Sequence, residues 1–273
     1  MNNPLVSICI PVYNCEMFIS STIDSILNQT YRNFELIIVD NCSTDNTVGE
    51  IRKYNNNKIK LYINEENFGI EYNWNKAISY ANGDYVKLMP ADDLLEIKCI
   101  EKQVEVLNKN EDIVMVGCNR DIINSTGKRI MKPYKKYINK KLSLNDLFIL
   151  SVNSGSNPIG EPGTVLLRAS FLKNAKIFNN AFPYVIDLKF YFDYLRNGKF
   201  IILKDYLYSF RVSSSSLSVE LSFKQRGDFM NFIYSYIVEN SIQNKINFLI
   251  KLRLSLMTFI KMIGRIFIYR LTN

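Results

Sequence analysis

The first half of the chain alternates between continuous apolar runs and stretches of helical periodicity. Leu5–Tyr13 and Phe34–Asp40 are rich in β-branched residues, and further strands are predicted at Ile59–Ile63, Asp84–Met89 and Asp112–Cys118. Continuous apolar runs are typical of strands that are buried on both faces. Strands separated by helices predict an α/β fold, in which a mostly parallel sheet is flanked by helices.

Helices are predicted in the segments that separate these strands. Apolar residues recur at helical spacing from Ile19 to Leu27, and helices are also predicted over Thr47–Tyr54, Tyr72–Ala81 and Leu95–Leu107. The second half is less regular and gives fewer predicted elements. Strands are expected at Val165–Arg168 and within Phe200–Phe210, and a helix is expected over Leu188–Leu195.

A polar loop at Ser213–Ser216 marks a boundary, and the chain is predicted to be helical from Phe223 onward. We therefore expect a nucleotide-sugar-binding and catalytic domain at residues 1–216 and a helical C-terminal extension at residues 217–273. The longest uncharged run in the middle of the extension is far shorter than the ~20 residues that a membrane span needs.

The last part of the extension is predicted to be an amphipathic cationic helix. Its polar residues follow steps of three and four and form one stripe beside a broad apolar face; they are Lys251, Ser255, Thr258, Lys261 and Arg265. Such a helix can lie on a bilayer surface, pack on the rest of the protein, or form a homodimer with a second chain.

The net charge of +8 is concentrated in two segments. Lys128–Lys141 holds seven basic residues and Lys245–Arg270 holds six, and neither segment contains an acidic residue. The segments are either solvated surfaces or sites of attraction to an anionic surface, such as a membrane. No nucleic-acid-binding signature accompanies the charge, so no nucleic-acid partner is predicted.

Histidine is absent, and the five cysteines form no C-x-x-C pair. The composition excludes Ser-His-Asp catalysis, Cys-His catalysis and histidine-ligated zinc. An odd number of unpaired cysteines favours a reducing cytoplasm, and the sequence from Met1 to Pro4 lacks the basic start of a signal peptide. Acid–base chemistry must therefore use carboxylates, lysine or tyrosine.

Adjacent aspartates, Asp92 and Asp93, follow the fourth predicted strand, where the carboxyl ends of parallel strands gather ligand-binding residues. One interpretation is that they cap the helix over Leu95–Leu107, with Glu96 as the partner in a capping box. The other is that they hold Mg²⁺ or Mn²⁺ together with phosphates of a substrate. A cation would also relieve the repulsion between the two carboxylates.

Several motifs in order, from "VSICIPVYN" through "FELIIVDNCSTDNT" to "NEENFGIEYNWNKAISYANGDYVKLMPADD", resemble the inverting glycosyltransferases of family two, which have the GT-A fold. The resemblance covers roughly Val6–Asp93 and continues more weakly to about Ser218. It implies a nucleotide-sugar donor, with UDP as the usual nucleotide. It also implies a divalent cation.

Carried over position by position, the resemblance implies a set of nucleotide-binding residues. They are Pro11, Tyr13, Asn14, Asp40, Ser43, Asn67, Gly69, Asn75, Lys76, Ala91, Asp92 and Arg211. Two of them have a simpler interpretation from the residues alone. Asp40 can be a turn aspartate that binds its own backbone, and Lys76 can be a solvated charge on a helix.

The same resemblance implies that Asp92, with Asp93, binds the metal that bridges the diphosphate. Pro90 replaces the first aspartate of the family's D-x-D motif, which weakens the expected affinity for the metal. Asp187 matches the general base, although it can also be a simple helix cap. Glu161 is a candidate for binding the acceptor, and Ser213 stands where the family often has a histidine.

The resemblance implies transfer of a sugar to a glycan or lipid-linked acceptor at the cytoplasmic face of a membrane. The only tryptophan is Trp74, so the Q-x-x-R-W motif of processive synthases is absent and a single addition is expected. One alternative is an inactive relative that binds sugar nucleotides, which would bind UDP without hydrolysing a UDP-sugar. Another is a nucleotidyltransferase, which would release pyrophosphate.

Overall fold

A computed structural model of the chain describes residues 3–133, 138–172, 177–212, 222–241 and 248–272. The described strands form one mixed sheet that is flanked by helices. These strands are β1 (Val6–Val12), β2 (Phe34–Asp40), β3 (Ile59–Ile63), β4 (Tyr85–Leu88), β5 (Leu94–Leu95), β6 (Ile113–Ile123), β7 (Arg129–Met131), β8 (Leu166–Arg168) and β9 (Lys199–Arg211).

The strand order across the sheet is β3-β2-β1-β4-β8-β6-β9-β5, with β7 paired to β6. The first four strands are parallel to one another, as expected. β8 enters between β4 and β6 and is antiparallel to both, and β5 is antiparallel to β9. The sheet is therefore mixed, because the second half of the chain adds strands in both directions.

Eight α-helices are described. They are α1 (Ile19–Leu27), α2 (Thr47–Arg52), α3 (Gly69–Ser79), α4 (Cys99–Lys109), α5 (Leu144–Ser154), α6 (Ile186–Tyr194), α7 (Ser222–Glu239) and α8 (Phe248–Thr272). None of the described helices is long and apolar enough to cross a membrane.

The bounds of β2 and β3 agree with the prediction, whereas the start of α4 does not. Leu94 and Leu95 pair with Ser209 and Tyr208 of β9, so the helix begins only at Cys99. α4 has Lys98 as its N-cap residue. The helix-capping interpretation of Asp92 and Asp93 is therefore wrong.

Two hydrophobic clusters cover the two faces of the sheet. Ile8 and Ile10 of β1 belong to one cluster with α1 and α4, while Cys9 between them belongs to the other. Helices α3, α5, α6 and α7 contribute to this second cluster. Burial on both faces accounts for the continuous apolar runs in the strands.

The C-terminal helices share the second cluster with the rest of the protein. Phe232 of α7 makes an edge-to-face contact with Phe192 of α6, at 4.9 Å between ring centroids, and Leu254 of α8 is also buried in the cluster. Because of these contacts, helices α7 and α8 pack on the α/β core. The expected domain boundary between residues 216 and 217 lies outside the described residues.

The predicted polar stripe of α8 does not face solvent as a whole. Thr258 is 1% exposed and donates a hydrogen bond to the carbonyl of Ser255. Ser255 in turn accepts a hydrogen bond from Arg226 of α7. Lys251 and Lys261 are exposed, and the Arg265 side chain lies outside the described residues. The small polar residues of the stripe therefore face the protein.

α8 lies close to the end of α5 because that end is a glycine. Gly155 has φ of +62°, and a Cβ atom there would be 2.5 Å from the backbone nitrogen of Thr258. Gly127 has a similar φ of +82°, but no atom lies within 4 Å of its Cβ position. The two glycines share a left-handed backbone and differ in their contact with α8.

We expect Gly155→Ala to lower the free energy of unfolding by about 2 kcal/mol or more, since it adds a collision with α8 to the left-handed strain. Gly127→Ala, the matched control, should cost only the backbone strain of about 1 kcal/mol. Urea unfolding measures both variants. An equal decrease in the free energy of unfolding for the two variants would contradict the packing of α8 on α5.

Candidate active site

The carboxyl ends of β1 and β2 are joined by hydrogen bonds between their turns. Asn14 has φ of +48°, and its backbone N–H donates to Ser43 Oγ at 2.9 Å. Asn14 Oδ1 accepts from the Thr44 backbone N–H at 2.8 Å. Pro11 and Tyr13 flank this turn, and Tyr13 is 45% exposed. The structure therefore brings the first predicted nucleotide-binding segment to the end of the sheet.

Asp40 binds its own turn, as the simpler interpretation predicts. Its carboxylate accepts hydrogen bonds from the backbone N–H and the hydroxyl of Ser43. Asp40 is 1% exposed. Asp40 and Ser43 thus stabilise the turn at the carboxyl end of β2.

An asparagine network that the sequence analysis missed holds the next loop. Asn41 Nδ2 donates to Asn67 Oδ1 at 2.7 Å, and Asn67 Oδ1 also accepts from the backbone N–H of Gly69. Asn64 Nδ2 donates to the side chains of Asn41 and Asn73. Gly69 has φ of +83°, which favours glycine at the first residue of α3. The predicted residues Asn67 and Gly69 are therefore positioned beside the Asp40 turn.

Asn75 and Lys76 of α3 make protein contacts. The Asn75 amide donates to the backbone carbonyl of Phe178 and accepts from its N–H. Lys76 Nζ lies 5.4 Å from the ring centroid of Tyr72. Both ends of the Asn75 amide thus bind the backbone of Phe178. The structure therefore gives no support to the predicted contact of Asn75 with a nucleotide.

The two adjacent aspartates have different environments. Asp93 is 1% exposed, and its carboxylate accepts hydrogen bonds from the hydroxyl of Tyr208 and from the backbone N–H of Arg211 at 2.7 Å. Burial and the neighbouring Asp92 charge raise the pKa of Asp93. Both carboxylate oxygens are engaged, so the structure gives no support to the prediction that Asp93 binds a metal.

The turn that carries both aspartates is also fixed through its backbone. Thr22 of α1 donates to the carbonyls of Ala91 and Asp93, at 2.8 and 2.9 Å. Cys15 Sγ donates to the Ala91 carbonyl, and burial together with Asp92 raises the pKa of this thiol to about 12. Ala91 therefore serves to anchor the turn beside the end of β1.

Arg211, at the end of β9, is the cation beside this turn. Its Nε donates to the Asp92 carbonyl at 2.6 Å, and its guanidinium lies 4.7 Å from the ring centroid of Phe18. A further nitrogen donates to the carbonyls of Asn124 and Ser125. Arg211 thus lies next to Asp92, and it is held there by backbone acceptors.

Asp92 is the member of the pair that remains suited to a cation. Its side chain is partly exposed, its carboxylate accepts from its own backbone N–H, and burial raises its pKa. The described residues contain no group of three or more acidic or thiol side chains arranged around one point. One carboxylate plus substrate phosphates can satisfy Mg²⁺ or Mn²⁺. The residues therefore fit a cation only when a diphosphate supplies further oxygens.

Asp187 lies in the first turn of α6 and is not its N-cap residue. Its carboxylate accepts from Asn157 Nδ2 at 2.8 Å and from the backbone N–H of Leu188 at 2.7 Å. Burial, with a smaller contribution from Glu161, raises the pKa of Asp187 to about 7. A carboxylate that titrates near neutral pH is suited to accept a proton from a substrate.

Asn157 fixes the orientation of Asp187, and the sequence analysis missed it. Its Oδ1 accepts from the backbone N–H groups of Ile159 and Gly160, at 2.9 and 3.2 Å. These two bonds orient the amide so that Nδ2 faces Asp187 and the carbonyl of Gly160. An asparagine before a Pro-x-Gly turn is a signal that could have identified it.

The charge of Glu161 acts on two of the acidic residues described above, Asp93 and Asp187. Its carboxylate lies 2.8 Å from Arg120 Nε, and its charge raises the pKa of both Asp93 and Asp187. The Tyr191 hydroxyl, one turn after Asp187, is buried and has no hydrogen-bond partner among the described residues. Helical spacing from Asp187 could have predicted that Tyr191 lies on the same face.

A buried lysine lies beneath the loop that carries Glu161. Lys87 of β4 is fully buried, and its ammonium donates to the carbonyls of Gly163 and Val165 at 2.7 and 2.9 Å. A Cβ atom at Gly163 would collide with the ring of Tyr208. The loop thus packs against the tyrosine that binds Asp93. β4, β9 and this loop together form the floor of the site.

The family model described as "Glycosyl transferase family 2" matches residues 7–163, which is more than half of the chain. The match includes β1, the Asp40 turn, the Asp92 turn and Glu161. It ends before Asp187 and Arg211.

Curated relatives agree with the family match. A protein of Haemophilus influenzae named "Uncharacterized glycosyltransferase" is 33% identical over 221 residues, 80% of this chain and 68% of the relative. An Escherichia coli protein, the UDP-Glc:alpha-D-GlcNAc-diphosphoundecaprenol beta-1,3-glucosyltransferase WfgD, is 37% identical over 144 residues, 52% of this chain and 56% of that protein. The chain thus spans only part of the length of these relatives.

Solved structures share the fold. S. aureus TarS 1-349 in complex with UDP superposes with a TM-score of 0.65 at 22% identity, over 85% of this chain and 65% of that chain. A Pyrobaculum calidifontis mannosyltransferase, PcManGT, in complex with GDP-Man and Mn²⁺ gives a TM-score of 0.65 at 18% identity, over 88% of this chain and 65% of that chain. The predicted GT-A type of fold is confirmed.

We expect Tyr208→Phe to lower the free energy of unfolding by about 1–3 kcal/mol, because it leaves a buried Asp93 oxygen without its donor. Tyr206→Phe on the same strand is the matched control, since its hydroxyl donates to the Pro133 carbonyl in a partly buried position. Urea unfolding near neutral pH measures both. A loss no larger for Tyr208→Phe than for the control would contradict the structural role of Asp93.

Proposed function

The chain belongs to glycosyltransferase family 2, and from that premise we propose that it transfers a single sugar from a UDP-sugar to a hydroxyl of a glycan or lipid-linked acceptor. Asp187 is the general base, and the reaction inverts the anomeric carbon. The observation that carries this proposal is the partly buried Asp187 carboxylate, which Asn157 and the Leu188 N–H hold in place and whose pKa is raised to about 7.

UDP is the proposed nucleotide because two similar proteins point to it. The name of the Escherichia coli relative specifies UDP-Glc, and TarS was solved with UDP. The same name specifies a diphosphoundecaprenol-linked sugar, which supports a lipid-linked acceptor. We propose that the transfer takes place at the cytoplasmic face of a membrane. The PcManGT structure contains GDP-Man, so the fold itself does not select uracil.

The proton of the acceptor hydroxyl moves to Asp187 as the hydroxyl oxygen forms its bond to the anomeric carbon. The bond between that carbon and the diphosphate oxygen breaks, and its electron pair remains on the diphosphate. Asn157 and the Leu188 N–H hold the Asp187 carboxylate in one orientation for this step. Such a positioned base typically contributes ~10²–10⁴-fold to the rate.

Two groups beside the Asp92 turn would favour departure of the diphosphate. Arg211 is held next to the turn and provides a fixed positive charge. Asp92, with the phosphates, is proposed to hold Mg²⁺ or Mn²⁺, which when bound neutralises charge on the leaving group. The presence of Mn²⁺ in the PcManGT structure supports a divalent cation. Glu161, paired with Arg120, is proposed to contact the acceptor.

The base assignment predicts a pH profile. Asp187 must be ionised to accept a proton and its pKa is raised to about 7, so kcat/KM for sugar transfer should rise with pH up to about 7 and fall about tenfold per unit below it. Asp187→Asn should reduce transfer by ~10²–10⁴-fold. Product formation from a radiolabelled UDP-sugar measures both.

Asp193→Asn is the matched control for Asp187→Asn, because Asp193 lies on the same helix in an exposed ion pair with Lys189. Near-normal transfer by Asp187→Asn, or an acid limb near pH 4 in the wild type, would refute Asp187 as the base. Release of pyrophosphate from a nucleoside triphosphate would instead favour a nucleotidyltransferase. UDP binding without transfer or donor hydrolysis would favour an inactive relative.

Asn157 should act as a positioning residue for Asp187. Asn157→Ala removes a hydrogen bond that favours the ionised carboxylate, so the acid limb of kcat/KM should move above pH 7 and transfer should fall about tenfold or more. Asn197→Ala, which removes an amide that bonds to the Tyr194 carbonyl after the same helix, should leave the limb in place. A fall in transfer with no change in the pH profile would limit Asn157 to a structural role.

A further inference from the structure

The outward side of α8 carries a row of large apolar residues. At 3.6 residues per turn they fall within an arc of about 100° and extend over about 16 Å of helix. They are Leu252 (54% exposed), Leu256 (56%), Phe259 (47%), Ile260 (49%) and Ile263 (50%). The buried side of α8 is formed instead by Leu254, Thr258 and Met262. Single exposed apolar residues are ordinary on protein surfaces, but a continuous row marks a contact surface.

The exposed charges of α8 are all positive. On the helical wheel Arg253 borders the apolar row, whereas the exposed residues Lys251 and Lys261 lie on other sides of the helix. The sequence from residue 245 to residue 270 contains six basic residues and no acidic residue. A surface that covers the row must therefore accept apolar side chains and also lie beside the positive charge of Arg253.

These requirements distinguish between the two surfaces that could cover the apolar row, a second copy of the chain and a bilayer. A second copy of the chain, placed face to face through α8, would bring Arg253 and its copy together without a compensating carboxylate on the helix. A bilayer with anionic headgroups supplies both an apolar interior for the row and negative charge for the cations. No described helix can span the bilayer, so the contact would be in the plane of its surface.

We infer that the outward face of α8, formed by Leu252, Leu256, Phe259, Ile260 and Ile263, docks on an anionic lipid surface with Arg253 at the level of the headgroups. The inference depends on which side of α8 packs against α5 and α7, because the opposite side is the one left exposed. It does not depend on the proposed sugar transfer. The polar stripe predicted from sequence lies away from the apolar row: Ser255 accepts a hydrogen bond from Arg226 of α7, and Thr258 is buried against the protein.

Co-sedimentation of the full chain with vesicles tests this inference. The wild type should bind vesicles that contain phosphatidylglycerol, should bind pure phosphatidylcholine vesicles at least about tenfold more weakly, and should be released by high salt. The double variant L256S/F259S should reduce the partition coefficient at least about tenfold, because it removes two apolar side chains from the contact.

Ile97→Ser is the matched control, since Ile97 is a similarly exposed apolar residue (55%) outside α8, and it should bind as the wild type does. Thermal melting should show that L256S/F259S remains folded, because both side chains point outward. Absence of wild-type binding to anionic vesicles would overturn the inference. So would a wild-type dimer in analytical ultracentrifugation that L256S/F259S dissociates while vesicle binding is absent. UDP-sugar hydrolysis without vesicles tests the proposed function separately.

Discussion

The buried carboxylate of Asp93 joins the two halves of this protein. It follows β4 in the parallel half of the sheet and accepts hydrogen bonds from Tyr208 and from the Arg211 backbone, both on β9 of the mixed half. A carboxylate can be buried only when its oxygens have partners, so β9 must end beside the Asp92 turn. The position of Arg211 next to Asp92 follows from this pairing.

Differences in environment assign different roles to carboxylates that are chemically alike. Asp93 is enclosed and bound to protein donors, which makes it structural. Asp92 is partly exposed beside Arg211 and suits the proposed cation and diphosphate. Asp187 is also only partly exposed, but its partners are Asn157 and Leu188, and its raised pKa suits proton transfer. Burial and partners, rather than residue type, decide which carboxylate can do which task.

Local pattern predicted the elements whose formation depends on nearby residues. β2 and β3 have the bounds that their apolar runs indicate, and the linked motifs were enough to predict the family and the type of fold. Non-local contacts could not be predicted in this way. Leu95 is predicted to begin a helix but pairs with Tyr208 of β9, more than one hundred residues later in the chain. Thr258 looks like part of a solvated stripe, but packing on α5 buries it.

In the candidate site, too, local motifs could be recognised from the sequence, whereas roles that depend on non-local contacts could not. The sequence predicts Asp92, Arg211 and Asp187 as site residues, because each stands at a position that a family motif marks, and these assignments stay predictions. It could not reveal that Asp93 faces inward, since the neighbouring aspartates differ only in the direction of their side chains. Asn157 was missed for a similar reason, because its role depends on the contact between its loop and α6.

The ammonium of Lys87 restricts how this enzyme can change. Its two acceptors, the carbonyls of Gly163 and Val165, belong to the segment that follows Glu161, and the strand that bears it leads directly into Asp92. Any shift of that segment would leave the buried ammonium without hydrogen-bond partners, which is strongly unfavourable. A new preference for the substrate that receives the sugar should therefore evolve by exchange of exposed side chains, while the backbone beneath them stays fixed.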